Sequence, residues 1–365
     1  MWISVIRRAV LAATLALLSL VSANAQQYHR TDLTTDASTV SLSAANIDPS
    51  LINSWGLARG SGSPWWVADN GTGLSTLYNA TGVPQALVVT IPTPDGTGTA
   101  APTGAVFNAT TAFQVAAGAK AFFLFVTEDG TISGWNPTVN LKNAVLLVNR
   151  AGKAIYKGGA IANTASGPRF YATNFQSGRV EVFDGSFRRL RTEGDAFQLP
   201  GLGPDWAPFN IQDIGGSLVV TFAHRKPGSH DEDHGPGLGF AGVFDARGKL
   251  LLRLEHGSWF NAPWGVALAP SDFGMFTHRL LIGNFGDGTI HAFNVMSGKH
   301  EGMMLDASTG SALVIDGLWA ISFGGNATNN GSATSLFFTA GPNDEADGLL
   351  GQLTAVAAEQ PGNSE

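Results

Sequence analysis

Short apolar runs recur along the chain at a spacing of roughly fifty residues, and turn residues follow them. Each repeat opens with a small or aromatic residue and glycine ahead of an apolar run, as in Trp55-Gly56-Leu57-Ala58. A second run ends in an Asp, Asn or Gly turn, as in Trp66-Val67-Ala68-Asp69, and a third run follows at once. Short runs rich in β-branched and aromatic residues, separated by such turns, predict strands joined by hairpins.

The repeat predicts an all-β fold, a six-bladed β-propeller, because units of three or four strands cannot each bury their own apolar face. The blades are predicted to start near residues 53, 102, 158, 208, 261 and 316, in a propeller spanning residues 26–356. Blade six lacks sequence for an outer strand, so we predict that an N-terminal strand near residues 28–33 fills that place and closes the ring. The alternative is a disordered N-terminal tail, and residues 357–365 are predicted to be a disordered C-terminal tail.

The first 25 residues have the features of an export signal. Arg7 and Arg8 precede an apolar run over residues 9–21, and Ala23-Asn24-Ala25 supplies the small residues of a cleavage site. The run is shorter than an ordinary transmembrane helix. We therefore predict a signal peptide over residues 1–25 and a secreted or periplasmic protein without a membrane anchor after cleavage; the alternative is a retained anchor.

Composition narrows the classes of partner. The formal net charge is -7 and the chain has no cysteine, so stability must come from ring closure and an aromatic core rather than from disulfides. An acidic chain of this kind argues against nucleic acid and against anionic lipid as partners. The predicted partners are a small-molecule ligand or an extracellular protein.

Two segments resemble an NHL-type repeat. The first is Pro263-Trp264-Gly265-Val266-Ala267 in blade five, with the run that follows at residues 281–293. The second is Trp55-Gly56-Leu57-Ala58 in blade one, with Trp66-Val67-Ala68-Asp69. The chain from residue 26 onward also resembles a bacterial family of exported propellers to which no activity is assigned. A more distant resemblance is to six-bladed hydrolases of the gluconolactonase and paraoxonase type, and protein-binding NHL domains share the same architecture. Such likeness implies the fold far more strongly than the function.

The resemblance to the hydrolases implies a calcium ion at the mouth of the central channel. The matching positions are Asn53, Asn210, Asn261 and Asp316, where the hydrolases place Asn, Asp and Glu at the entries of inner strands. The match is partial, because Asn53 stands where a glutamate is expected. Calcium accepts amide as well as carboxylate oxygens, and another divalent metal could bind instead.

An insert at residues 224–237 is the largest departure from the repeat. It contains His230, Asp231, Asp233 and His234, and histidine with carboxylate suits zinc, manganese, iron or calcium, although the spacing matches no standard metal motif. Asp231 and Asp233 are the alternative metal ligands, and His230 or His234 is the candidate general base. The structural alternative is a solvated loop whose charges face water.

These observations favour an exported propeller that binds a small ligand or a partner, together with a divalent cation, at the channel mouth. The first alternative is a metal-dependent lactone or ester hydrolase, in which the cation polarises the carbonyl. The second is a non-catalytic structural or protein-binding scaffold at the cell surface. Whether the protein is an enzyme is left open by the sequence.

The repeat tryptophans Trp55, Trp264 and Trp319 are expected to pack in the core between blades, with an aromatic or sugar-binding role as the alternative.

Overall fold

The computed structural model describes residues 27–41 and 43–356. They form strands and connecting turns, with one short 3₁₀ helix at Gly274–Phe276. The strands, in chain order, are β1 (Gln27–Thr35), β2 (Asn46–Ile47), β3 (Ser54–Ala58), β4 (Trp65–Asp69), β5 (Leu74–Tyr78), β6 (Val89–Thr90), β7 (Pro102–Phe107), β8 (Gln114–Ala116), β9 (Ala119–Lys120), β10 (Phe123–Thr127), β11 (Thr131–Trp135), β12 (Val145–Asn149), β13 (Tyr156–Thr164), β14 (Gly167–Asn174), β15 (Arg179–Asp184), β16 (Arg189–Leu190), β17 (Trp206–Ile214), β18 (Ser217–His224), β19 (Phe240–Phe244), β20 (Leu250–Arg253), β21 (Pro263–Leu268), β22 (Leu280–Asn284), β23 (Ile290–Phe293), β24 (His300–Met303), β25 (Leu305–Asp306), β26 (Leu318–Phe323), β27 (Leu336–Ala340) and β28 (Leu349–Ala355). The described residues include no helix with the length and hydropathy needed to cross a membrane. The predicted signal peptide and C-terminal tail lie outside the described residues.

Five four-stranded sheets and one six-stranded sheet form the blades. Their first strands are β3, β7, β13, β17, β21 and β26, and each is followed outward by an antiparallel meander. The first strands of successive blades contact one another, and β26 of blade six contacts β3 of blade one. The six units therefore close into a ring, which confirms the predicted six-bladed propeller.

The N-terminal strand β1 closes blade six. It pairs antiparallel with β28, from Tyr28 opposite Ala355 to Thr35 opposite Leu349. The ring of Tyr28 packs on Phe273 at 4.8 Å between centroids, and its hydroxyl donates a hydrogen bond to the Phe273 carbonyl. The last blade thus takes its outer strand from the start of the described chain, as predicted, and the edge of β28 is covered.

Glycine in the first strands lets neighbouring blades approach closely. A Cβ atom at Gly56 would lie 2.5 Å from the backbone nitrogen of Ala105 in blade two. No side chain fits at that distance, so the small residue at the repeat opening is a packing requirement.

A central aromatic cluster fills the middle of the channel. Its members are Trp55, Phe175, Phe209, Trp264, Trp319 and Phe285. The rings of Phe209 in blade four and Trp319 in blade six lie 6.0 Å apart, and those of Trp55 and Trp264 lie 6.3 Å apart. Contacts between blades that are not neighbours require packing across the centre of the ring. The three repeat tryptophans are therefore core residues, as predicted, but they meet on the channel axis rather than between blades.

Candidate functional site

A cavity of about 200 Å³ opens at one end of the channel, and we call it the mouth cavity. Consecutive strands of a blade are antiparallel, so the entries of the first strands and the loops between second and third strands lie at this same end. Its acidic lining residues are Glu128, Asp231, Glu232, Asp344 and Glu345. The other lining residues are Trp55, Asn70, Lys157, Lys226, His234 and Phe285, so that all six blades contribute to one site.

Lys157 is the buried cation of this site. It lies near the start of β13, and only 2% of its side chain is exposed. Its ammonium is 2.7 Å from Glu128 Oε1 and 3.7 Å from Glu232 Oε2, and it lies 4.9 Å from the centroid of the Trp55 ring. Burial opposes the charge of this lysine, but the two carboxylates outweigh burial and raise its pKa. Lys157 is therefore a permanent cation at neutral pH and is unsuited to act as a nucleophilic amine.

The five carboxylates that line the mouth cavity outnumber its two lysines, Lys157 and Lys226. Glu232 is buried, and no hydrogen-bond donor among the described residues reaches its Oε2. Glu345 accepts a hydrogen bond from Asn53 Nδ2 at 3.1 Å. Burial, followed by the charge of Glu232, raises the pKa of Glu345. Glu232 and Glu345 are thus two carboxylates with few hydrogen-bond donors, and a bound positive group would stabilise both.

His234 adds an ionisable group to the cavity wall. Its Nε2 lies 3.6 Å from Glu232 Oε1, and its ring packs edge-on to Phe285 at 5.0 Å between centroids. The Glu232 carboxylate raises the pKa of His234 above the ordinary value for histidine. The imidazole and the carboxylate together can hold or move a proton at the cavity surface.

The four residues matched to the calcium position point their polar atoms to protein partners. Asn53 Oδ1 accepts hydrogen bonds from the indole nitrogens of Trp55 and Trp319, at 2.8 and 3.0 Å. Asn261 Oδ1 accepts from the backbone nitrogen of Gly235 at 2.7 Å. Neither amide oxygen is directed at a common cation position.

The other two members of that set lie apart from the mouth cavity lining. Asn210 Nδ2 donates to the Trp264 carbonyl at 2.7 Å, and Asn210 faces a narrow space between the first strands. Asp316 is exposed and accepts from the backbone nitrogen of Asn343 at 2.9 Å. As arranged here the four side chains do not fit a calcium ion, and we derive no chemistry through one at this set; metal binding stays a prediction. Among the described residues, no group of three or more His, Asp or Glu side chains is arranged to hold a metal ion.

The candidate residues of the blade-four insert separate into three places. His234 and Asp231 line the mouth cavity, where Asp231 Oδ2 also accepts from Ser229 Oγ at 2.6 Å. Asp233 Oδ2 instead pairs with His224 Nδ1 at 2.8 Å. His230 is exposed and faces a different cavity, beside Arg225. The geometry therefore brings His234, and not His230, to the acidic site.

Lys157 and Glu232 are the site residues that the sequence reasoning did not single out. One signal was available: Lys157 interrupts the apolar opening of blade three, where a charged residue inside a buried strand requires a partner.

Comparisons with known proteins identify relatives of the whole propeller. No family model matches the chain. Uncharacterized protein R648 of Acanthamoeba polyphaga mimivirus is 31% identical over 321 residues, which cover 85% of this chain and 76% of that protein. Uncharacterized protein L690 of the same virus is 31% identical over 325 residues, covering 85% of this chain and 82% of that protein. The chain belongs to the family of these two proteins. Since both are viral, the bacterial and exported character suggested by the sequence stays a prediction.

Solved structures with a similar fold are six-bladed propeller proteins. A streptogramin B lyase structure is similar with a TM-score of 0.52 and 12% identity, covering 90% of this chain and 97% of that chain. Virginiamycin B lyase from Staphylococcus aureus gives a TM-score of 0.51 and 11% identity, covering 90% and 100%. A glucose dehydrogenase gives 0.51 and 14%, covering 84% and 98%. At such identities the likeness establishes the fold alone.

Proposed function

We propose that this protein binds a small, positively charged ligand in the mouth cavity. The ligand is a divalent cation or an organic ammonium group, and the shared chemistry is positive charge. The observation that carries the proposal is the excess of carboxylate: part-buried Glu128 and buried Glu232 flank the ammonium of Lys157, and part-buried Glu345 lines the same cavity. A bound cation would contact Glu232 Oε2 directly, an oxygen that accepts no hydrogen bond from the described residues and lies 3.7 Å from the Lys157 ammonium.

The aromatic groups of the cavity support an organic cation as one form of the ligand. Trp55 and Phe285 line the cavity beside the carboxylates. Aromatic faces attract ammonium groups, and carboxylates add the opposite charge. A metal ion would bind the carboxylate oxygens only after these side chains move together, because no group of three or more His, Asp or Glu side chains among the described residues is arranged to hold one.

Titration of the purified protein with two probes tests the proposal. The probes are Ca²⁺ and tetramethylammonium, followed by calorimetry and tryptophan fluorescence. Glu345→Gln keeps the hydrogen bond from Asn53 and removes one charge, so binding should weaken by about tenfold or more. The matched control is Asp272→Asn, an exposed acid between β21 and β22 at the opposite end of the blade, which should leave binding unchanged.

The two probes separate the forms of the ligand. Binding of Ca²⁺ alone identifies a metal site, and binding of tetramethylammonium alone identifies an organic-cation site. Failure of both probes to bind at millimolar concentration, or equal binding by Glu345→Gln and wild type, overturns the proposal. The protein would then be interpreted as a scaffold that binds another protein or supports the cell surface.

Binding should also depend on pH in a defined direction. The pKa of Glu345 is raised by burial and by Glu232, so Glu345 gains a proton at a higher pH than an ordinary glutamate. Protonation removes the charge that attracts the ligand. Affinity should therefore fall on acidification before ordinary surface carboxylates titrate, and Glu345→Gln should lose that step.

Lactone or ester hydrolysis is a second candidate function, and the pairing of His234 with Glu232 favours it. The imidazole lines the cavity and has a raised pKa, so it could accept a proton from a water molecule that attacks a carbonyl carbon. Assays with a panel of lactones and aryl esters should then show activity that His234→Gln loses and His230→Gln retains. Activity equal in wild type and His234→Gln would exclude this role.

Export to the periplasm or the medium completes the proposal. Only the sequence features of residues 1–25 support it. An N-terminus at Gln26 in the exported protein would agree with it, and retention of Met1 would contradict it.

A further inference from the structure

We propose a second binding site, for an acidic polysaccharide, at the outer edge of blade three. A cavity of about 340 Å³ there is lined by Arg150, Lys153, Arg179 and Arg189, with Glu181 and Glu193 as its acids. We call it the blade-three basic cavity. It is separate from the mouth cavity, with which it shares no lining residue.

The local charge is opposite to that of the whole chain. Residues 150–194 contain eight lysines and arginines, of which Lys157 belongs to the mouth cavity, and three acids, whereas the whole chain has 21 basic and 28 acidic residues. Basic residues concentrated on one part of an acidic protein form a local positive field, which attracts anionic partners.

Buried Glu181 organises two of the arginines. Arg150 Nη2 and Arg189 Nη1 donate to Glu181 Oε1 at 2.8 and 3.1 Å. Tyr156 donates to Glu181 Oε2 at 2.6 Å. These contacts neutralise the Glu181 carboxylate and hold both guanidinium groups in place at the cavity. Each guanidinium has five N–H donors, so donors remain to meet a ligand.

Lys153 and Arg179 provide the accessible positive charge. Both side chains are exposed, and Arg179 donates a hydrogen bond to the carbonyl of Gly194 on the cavity wall. Guanidinium groups bind sulfate, phosphate and carboxylate oxygens in pairs, while a lysine ammonium acts as a point charge. Several cations spread along one open cavity suit a chain of anionic groups better than a single small anion.

A sugar chain fits this cavity better than a nucleic acid does. Proteins that hold single-stranded nucleic acid combine positive charge with aromatic side chains on which the bases stack. The described residues that line the blade-three basic cavity include no aromatic side chain. Charge without a stacking surface favours a polymer whose recognition depends on its anionic groups.

Binding of fluorescent dextran sulfate to the full-length protein tests this site. Neutral dextran is the comparison for charge, and single-stranded oligothymidine is the comparison for polymer class. Wild type should bind dextran sulfate and not neutral dextran. The affinity for dextran sulfate should fall steeply between about 50 and 200 mM salt, because ionic contacts release counterions. Proteins that make about six to ten phosphate contacts with DNA lose about 10³–10⁵ in affinity over this range. Equal or tighter binding of oligothymidine would replace the polysaccharide by a nucleic acid and overturn the proposal.

Two sets of variants locate the site. Lys153→Ala with Arg179→Ala should weaken dextran sulfate binding by about tenfold or more. Arg247→Ala with Lys249→Ala removes the same charge from the exposed turn between β19 and β20, and binding should change less than twofold. Equal losses in the two double variants would show that net charge alone governs binding and would overturn the site.

Glu181→Gln distinguishes an organised site from a diffuse field. The substitution makes the protein more positive, so a diffuse field predicts tighter binding. An organised site predicts weaker binding, because Arg150 and Arg189 lose the carboxylate that positions them. Should Glu181→Gln lower the melting temperature strongly, Tyr156→Phe removes one hydrogen bond from Glu181 without changing charge, and weaker binding is again expected. Tighter or unchanged binding by a folded variant contradicts the positioning role.

Discussion

Replacing Lys157 by methionine should destabilise the propeller strongly at neutral pH. The ammonium lies 2.7 Å from Glu128 and 3.7 Å from Glu232. With an effective dielectric constant of about 20, the gross attraction across these distances is about 6 and about 4.5 kcal/mol, most of which offsets the cost of burying the charges. Removing one partner of a buried ion pair costs about 3–5 kcal/mol, because the other charge remains buried and unpaired.

Urea unfolding of wild type and Lys157→Met at pH 7.5 measures this loss of unfolding free energy. Lys153→Met is the control, since Lys153 is exposed and its replacement should change the unfolding free energy by less than about 0.5 kcal/mol. Glu232→Gln added to Lys157→Met should recover part of the loss, because it removes the unpaired charge. A loss below about 1 kcal/mol would refute the assignment of Lys157 as the buried counter-ion.

Three further predictions concern the rest of the ring. Deleting residues 27–35 removes the outer strand of blade six and the buried side chains of Tyr28 and Leu33. Thermal and urea unfolding should then show an unfolding free energy lower by about 3–6 kcal/mol, whereas His29→Ala, on the exposed side of that strand, should change it little. Gly56→Ala places a Cβ 2.5 Å from the Ala105 nitrogen and should lower the unfolding free energy by about 1–3 kcal/mol. The control is Gly62→Ala, whose added Cβ would meet no atom within 4 Å. Equal melting temperatures for the two variants would contradict the close packing of the first strands. Burial, and then the charge of His300, lowers the pKa of His291 to about 4. As the pH falls from about 6.5 to about 4, the unfolded chain binds the proton before the folded protein does. The unfolding free energy of wild type should therefore fall by about 3 kcal/mol over this range. His291→Gln should remove that part of the pH dependence, and exposed His29→Gln should not.

The fold could be predicted because the repeat places similar strands at a regular spacing. The run Trp65–Asp69, for example, ends in Asp-Asn-Gly and forms β4 and its turn. Closure by β1 could be predicted because blade six runs out of chain, and a ring with an open edge is unfavourable. What the repeat could not show is that aromatic residues from blades one, four, five and six meet on the axis.

The site was predictable only in its location. The sequence indicates a site at the channel mouth, and His234 of the blade-four insert does line the mouth cavity, together with Glu345 of blade six. The chemistry was missed because Lys157 and its partners Glu128 and Glu232 are far apart in sequence and carry no spacing pattern. Only the packing of blades two, three and four against one another brings them together. The amides chosen by resemblance, such as Asn53, serve instead to hold the tryptophans and Glu345.

The most direct test of ligand binding is a crystal structure of the protein soaked with Ca²⁺ or with tetramethylammonium. We predict difference density in the mouth cavity, next to Glu232 Oε2 and Glu345. Calcium would lie about 2.3–2.6 Å from carboxylate oxygens, and the ammonium would lie within about 6 Å of an aromatic ring centroid. Density for both probes only outside the mouth cavity, with Glu232 and Glu345 unchanged, would contradict the account.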